Sequence, residues 1–171
     1  DLSDISLTGA QEQLIRSVCA TGKPVVVVLV AGKPFAIPYI KEKVPAILAQ
    51  WYAGEQAGNS IADILFGKVN PSGKLPFSFP QSTGHLPAYY NYLPTDKGYY
   101  KEPGTYTSPG RDYVFSSPAP LWTFGHGLSY TRFEYVQATT DKTSYQPHDT
   151  IRISVKVKNS GKLAGKEVVQ I

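Results

Sequence analysis

The sequence predicts an α/β domain, an open and mostly parallel sheet with flanking helices, followed by an incomplete all-β segment. Three observations predict it. The run VVVVLV at 25–30 is continuous and β-branched, which suits a strand buried on both faces of a helix-covered parallel sheet. A second apolar run, 46–51, completes the order helix, strand, connection, strand, helix, the grammar of such a sheet. From 133 onward the pattern changes to period two, the signature of half-exposed strands.

The first element is a helix over 8–21. Leu14, Ile15, Val18 and Cys19 share one face, with Gln11, Glu12, Gln13 and Arg16 largely opposite, and Gly22 ends it. Thr8 with Gln11 three positions later fits a capping box. Cys19 falls on the buried face, which favours a core side chain over a reactive thiol. After the strand at 25–30, residues 31–34 form the strand-end loop, 37–44 a short irregular or helical piece, and 46–51 the second strand. Ligands of open α/β sheets gather at the carboxyl ends of strands, which are 31–34 and 51–54.

The stretch 54–80 packs a helix, its stop and a rigid loop into one run. Ile61, Ile64 and Leu65, with Ala57 and Ala62 beside them, make a helical apolar stripe. Gly67 suits the left-handed residue that ends it. Asn70-Pro71-Ser72-Gly73 reads as a turn. Residues 75–80 alternate but carry two prolines, which suits an extended edge. Glu55 and Asp63 read as solvated or capping carboxylates. A phosphate loop fails, because five residues separate Gly67 from Gly73 and Leu75 replaces the hydroxyl residue.

Residues 81–120 are rich in Tyr, Pro, Gly and Ser with little periodicity, and a loop of that length is usually functional or wraps a neighbour. Arg111-Asp112-Tyr113 reads as a salt-bridged corner, with a ligand contact as the other reading. In 121–130, Gly125 and Gly127 around His126 imply a tight backbone path, and a packed histidine is favoured over a catalyst. Ile151, Ile153, Val155 and Val157 alternate with Arg152, Ser154, Lys156 and Lys158 as a strand; 159–161 turns; 167–171 begins a third strand. A sandwich needs about seven strands, so this module is expected to be incomplete.

Composition narrows the function. The 171 residues are 42% hydrophobic and 18% charged, and no apolar run approaches the roughly 20 residues of a membrane span. The start, Asp1-Leu2-Ser3-Asp4, is acidic and carries no secretory signal, so a piece of a longer chain is expected. The net charge is +4, but the lysines are scattered among acids, which argues against a nucleic-acid partner. Cys19 is the single cysteine, and His85, His126 and His148 lack ligand spacing, so neither a disulfide nor a metal is expected. No glycine-rich dinucleotide loop follows either strand and no Gly-x-Ser-x-Gly elbow is present, which disfavours a flavodoxin-like nucleotide binder and a serine hydrolase; no cofactor is expected. Twelve tyrosines and two tryptophans are the informative excess, since flat amphipathic rings stack on sugars and also fill interfaces.

ADILFGKVNPSGKLPFSFP at 62–80 resembles the hallmark run of glycoside hydrolase family 3, the β-glucosidases and β-xylosidases. The run at 7–37 is similar to the family's helix and strand after its acid/base segment, 46–67 to the next strand and helix, and PLWTFGHGLSYTRFEY at 120–135 to its domain-closing block. KVKNSGKLAGKEVVQI at 156–171 is similar to the early strands of the fibronectin type III-like domain that ends many members, and the overall pattern is closest to bacterial periplasmic β-glucosidases. The resemblance implies that 1–127 is the later part of the family's α/β-sandwich domain and 128–171 the start of the fibronectin type III-like domain. It departs at Thr8, where proline is common, at His126, where tyrosine is usual, and at 106–117, which matches the family's arginine-containing loop poorly.

By the resemblance, the parent is a retaining, exo-acting β-glycosidase that hydrolyses terminal β-linked glucosides or xylosides in carbohydrate catabolism, in the periplasm or outside the cell. Its nucleophilic aspartate belongs to a barrel-like first domain that nothing in this sequence matches, and its acid/base glutamate falls a few residues upstream of Asp1. Neither role is therefore carried onto Asp1, Asp4, Glu12 or Glu55, and the 171 residues alone are expected to be inactive. The implied partners are a β-linked oligosaccharide or glycoside and the N-terminal barrel domain of the same enzyme, with Trp51 or the tyrosine-rich loop bordering the leaving-group side of the pocket. A non-enzymatic α/β module that binds carbohydrate or a partner through its aromatics is the alternative.

Overall fold

A computed structural model describes residues 3–91, 105–107, 116–117, 119 and 120–170. The Arg111-Asp112-Tyr113 corner and much of the tyrosine-rich loop lie outside the described residues, as does Asp1. The chain divides into two compact units, one made of Asp1–Gly58 and Leu75–His126, the other of Asn59–Lys74 and Gly127–Ile171.

In the first unit, helix α1 (Gln11–Cys19) is followed by strand β1 (Val26–Val30), helix α2 (Pro38–Lys43) and strand β2 (Ala46–Gln50). The strands pair in parallel, Val26 opposite Ala46 through Val30 opposite Gln50, as the helix-strand order requires. Pro38 sits in the first turn of α2, where its missing N–H costs nothing. Gly22, at φ 71°, takes the left-handed conformation that stops the chain after α1.

The core gathers on one face of this sheet. Val27 and Leu29 of β1 pack with Ile37, Ile40, Val44, Phe79 and Leu121, and Ile37 and Ile40 are wholly buried. Each such side chain contributes roughly 1.5–3 kcal/mol by leaving water. Among the described residues β1 is covered on one face only: Val26 and Val30 are exposed, and the strand alternates in the manner of a half-covered one. Likewise Leu14 and Val18 of α1 are exposed, while Ile15 and Cys19 pack against the core. The apolar stripe of α1 is wider than the surface that the described residues set against it.

The expected edge at 75–80 is extended, and its partner is the 121–126 block. Phe79 N–H donates to Trp122 O at 2.8 Å and Phe79 O accepts from Leu121 N–H at 2.7 Å. Leu75 N–H and Gly125 N–H close the other end with His126 O and Leu75 O. Pro76 and Pro80 fall where no ladder donor is needed, which is why two prolines are tolerated. Thr8 does not cap α1: its Oγ1 accepts from the Gln11 side chain at 3.1 Å, and Ala10 flanks the helix without a side-chain cap bond.

Helix α3 (Ala57–Leu65) follows a 3-10 turn, Gly54–Gln56, and ends at Gly67, φ 74°, whose N–H donates to Ile64 O. In the second unit Asn70 does not close a hydrogen-bonded turn. Its Oδ1 accepts from Ser129 Oγ and Tyr130 N–H, both at 2.8 Å, and its Nδ2 donates to Ala164 O at 2.9 Å. The amide's two ends are spent on chain segments about sixty and ninety residues away rather than on its neighbours. Strands β3 (Phe133–Thr140) and β4 (Ile153–Asn159) pair antiparallel, with a bulge between Tyr135 and Gln137. The third strand expected at 167–171 does not form among the described residues; Glu167 instead turns inward to Lys74, 3.3 Å away.

Candidate functional site

Parallel pairing places the ends of β1 and β2 on one edge of the first unit, so the loops at 31–34 and 51–54 lie together by construction. Gln50 closes β2. It is buried, donates from Nε2 to Ala57 O at 3.1 Å, and holds its Oε1 without a hydrogen-bond partner among the described residues. Successive residues of an extended chain point opposite ways, so Trp51 and Tyr52 part company after it. Trp51 turns toward the core and meets Phe77 edge-on at 5.2 Å and Phe79 at 6.2 Å. Tyr52 is 80% exposed and lies across Gly32, where an added Cβ would come within 2.5 Å of its ring. Gly32 is thus the residue that lets the two strand-end loops touch.

The first described residues join this edge. Ile5 is buried, its carbonyl accepts from Ala36 N–H at 3.0 Å and its own N–H donates to Thr83 Oγ1 at 3.3 Å. Asp4 Oδ1 accepts from Ser6 N–H at 2.8 Å and from Thr83 Oγ1 at 3.2 Å. The Ser6 backbone bond, with help from Thr83 and nearby Lys33, holds the Asp4 carboxyl below its usual range. Asp4 is therefore ionised at neutral pH and has no proton to give as a general acid. Thr83 lies in a 3-10 turn, Thr83–His85, whose His85 is buried with Nε2 2.8 Å from Ser116 Oγ; burial pushes the imidazole pKa down.

The other carboxylates weighed from sequence are spent elsewhere. Glu12 is paired with Arg16 and Asp63 with Lys68, and Glu55 stands exposed on the Gly54–Gln56 turn. A retaining glycosidase needs two carboxyl groups about 5–5.5 Å apart across the scissile bond. No such pair is built on this edge from the described residues. His126 and His148 are exposed and remote in sequence from His85, and no three metal-ligating side chains cluster among the described residues.

Sequence reasoning singled out Trp51 and passed over Tyr52, Thr83 and Gln50. The period of two after a strand was a usable signal for Tyr52. Thr83 carried none, because its partners are 78 and 79 positions away.

A family model described as the glycosyl hydrolase family 3 C-terminal domain matches residues 1–130. A β-xylosidase of Formosa agariphila is 42% identical over the whole chain, and a periplasmic β-glucosidase of Salmonella typhimurium is 44% identical over 99% of it; the chain spans 22% of the length of each. Among solved structures, a β-glucosidase from Erythrobacter marinus superposes with a TM-score of 0.82 at 43% identity, covering 96% of this chain and 20% of that one. A mutant β-glucosidase from Listeria innocua in complex with laminaribiose gives 0.84 at 36% identity, covering 96% and 22%.

Proposed function

The chain belongs to glycosyl hydrolase family 3, and from that premise we propose that it is the C-terminal part of a retaining, exo-acting β-glycosidase that hydrolyses terminal β-glucosides or β-xylosides. The carrying observation is the match of relatives named β-xylosidase and β-glucosidase along essentially the whole chain. The relatives extend far beyond it, since it spans about a fifth of their length.

In this reading residues 1–127 complete an α/β sandwich domain and 128–171 open a fibronectin type III-like domain. Both catalytic carboxylates come from outside the 171 residues: a nucleophilic aspartate in a preceding barrel domain, and an acid/base glutamate a few residues before Asp1. The nucleophile attacks the anomeric carbon as the glycosidic oxygen takes a proton from the glutamate and leaves. The same glutamate, now a carboxylate, removes a proton from water, which cleaves the glycosyl ester and restores both groups. The role of this chain is to anchor the acid/base segment, with Trp51 or its exposed neighbour Tyr52 bordering the leaving-group side.

The periplasmic β-glucosidase among the relatives supports a periplasmic or extracellular location. No helix among the described residues is long and apolar enough to cross a membrane. The direct test follows the initial product anomer by proton NMR as the full-length protein hydrolyses an aryl β-glucoside or β-xyloside. Release of the β-anomer first supports the reading; release of the α-anomer first, or no turnover, refutes it.

A further inference from the structure

Resting on the reading that an acid/base glutamate lies a few residues before Asp1, we propose that Thr83 is a positioning residue for it, fixing the point from which its loop leaves the fold. The observation is one hydroxyl that serves two neighbouring residues at once. Thr83 Oγ1 accepts from Ile5 N–H at 3.3 Å and donates to Asp4 Oδ1 at 3.2 Å. A hydroxyl has one proton and two lone pairs, so the two bonds coexist.

The segment it grips is stiffened from within and from behind. Asp4 Oδ1 also accepts from Ser6 N–H at 2.8 Å, an Asx-type turn that fixes the backbone on either side of Ile5. Ile5 is buried and its carbonyl accepts from Ala36 N–H in the loop after β1. The gripping turn is itself held, since His85 is buried and reaches Ser116 Oγ at 2.8 Å. Thr83 is exposed, so core packing does not call for it there. Its hydroxyl is what the position uses.

A general acid must stand within hydrogen-bond reach of the leaving oxygen, and a misplacement of about 1 Å costs on the order of 10²-fold in rate. An anchor a few residues from that acid therefore controls proton delivery more than it controls sugar binding. The consequence is selective. Glycosides whose aglycone needs a proton to depart should suffer, and those with a self-sufficient leaving group should not.

The test uses the full-length protein with Thr83→Val and Thr83→Ser, and kcat/KM, which reports the first step, on methyl β-glucoside and dinitrophenyl β-glucoside. Thr83→Val is expected to lower the methyl value about tenfold and the dinitrophenyl value by less than about twofold, with Thr83→Ser restoring both. Asp4→Ala, at an exposed position, tests the same grip without touching the core and should show the same split. Equal losses on both substrates, or none on either, overturn the proposal. A wild-type protein inactive on both dinitrophenyl β-glucoside and dinitrophenyl β-xyloside instead overturns the glycosidase reading on which it rests.

Discussion

Lys74 Nζ lies 3.3 Å from Glu167 Oε1, and the two side chains are only 17% and 13% exposed. Lys74 also donates to Gly127 O at 2.8 Å, and Tyr135 donates its hydroxyl to the same Glu167 oxygen at 3.0 Å. This hydrogen-bonded ion pair joins Lys74 to Gly127, to Tyr135 of β3 and to the chain after β4, all within the second unit. Paired charges of this kind contribute little net energy compared with apolar packing, but removing one partner strands the other.

Lys74→Met in the full-length protein should therefore cost the second unit about 3 kcal/mol, because Glu167 is left largely buried without its cation. Hydrogen exchange of the β3 amides should accelerate about a hundredfold. Lys74→Met with Glu167→Leu should recover most of the loss. If the single variant exchanges at the wild-type rate, the pair is not holding the unit.

Two glycines should respond in opposite directions. An added Cβ at Gly58, in α3, meets nothing within 4 Å, so Gly58→Ala should stabilise that helix by roughly 0.5–1 kcal/mol. An added Cβ at Gly127 would overlap the Gly73 carbonyl oxygen, backbone that cannot swing aside, so Gly127→Ala should destabilise the second unit. Limited proteolysis of the full-length variants separates them: slower cleavage near α3 for the first, faster cleavage near 70–75 for the second.

His85 predicts acid sensitivity. Burial depresses its folded pKa below the ordinary 6.5, so it contributes stability that is fully present above that pH and is lost as pH falls through the folded value. The hydrogen-bonded carboxylates Asp4, Asp141 and Asp149 are also depressed, but from 3.8, so they act in a lower window. The thermal midpoint should drop between about pH 7 and pH 5, and His85→Gln should flatten that drop. An unchanged slope in the variant would assign the effect to other groups.

Trp51 and Tyr52 should divide stability from substrate contact. Trp51 is packed against Phe77 and Phe79, so Trp51→Ala should cost about 3 kcal/mol in unfolding free energy. Tyr52 is exposed, so Tyr52→Ala should stay within about 0.5 kcal/mol of wild type while raising KM for bulky aglycones. A Tyr52→Ala protein with unaltered KM across aglycones would remove that residue from the border of the pocket.

What the sequence made legible was local. The parallel pair, the stop at Gly67 and the run beside Pro76 and Pro80 follow from spacing, turn chemistry and the proline constraint, and the piece at 37–44, left open between irregular and helical, is the helix Pro38–Lys43. The hallmark run at 62–80 also pointed to the family that the model match at 1–130 establishes. What was hidden depends on distant partners. Asn70 reads as a turn residue until Ser129, Tyr130 and Ala164 are seen around it, and Thr83 reads as loop until Asp4 and Ile5 are. The cover of β1 was hidden for a related reason: a run of valines says that a strand can be covered on two sides, not which segments cover it, and among the described residues only one side is covered.

The proposal that both carboxylates of the glycosidase come from outside residues 1–171 is tested by a paired assay on an aryl β-glucoside and an aryl β-xyloside. Residues 1–171 alone and the full-length protein are compared under identical conditions. Turnover of at least one substrate by the full-length protein and none above background by residues 1–171 is expected; turnover by residues 1–171 alone would contradict the proposal.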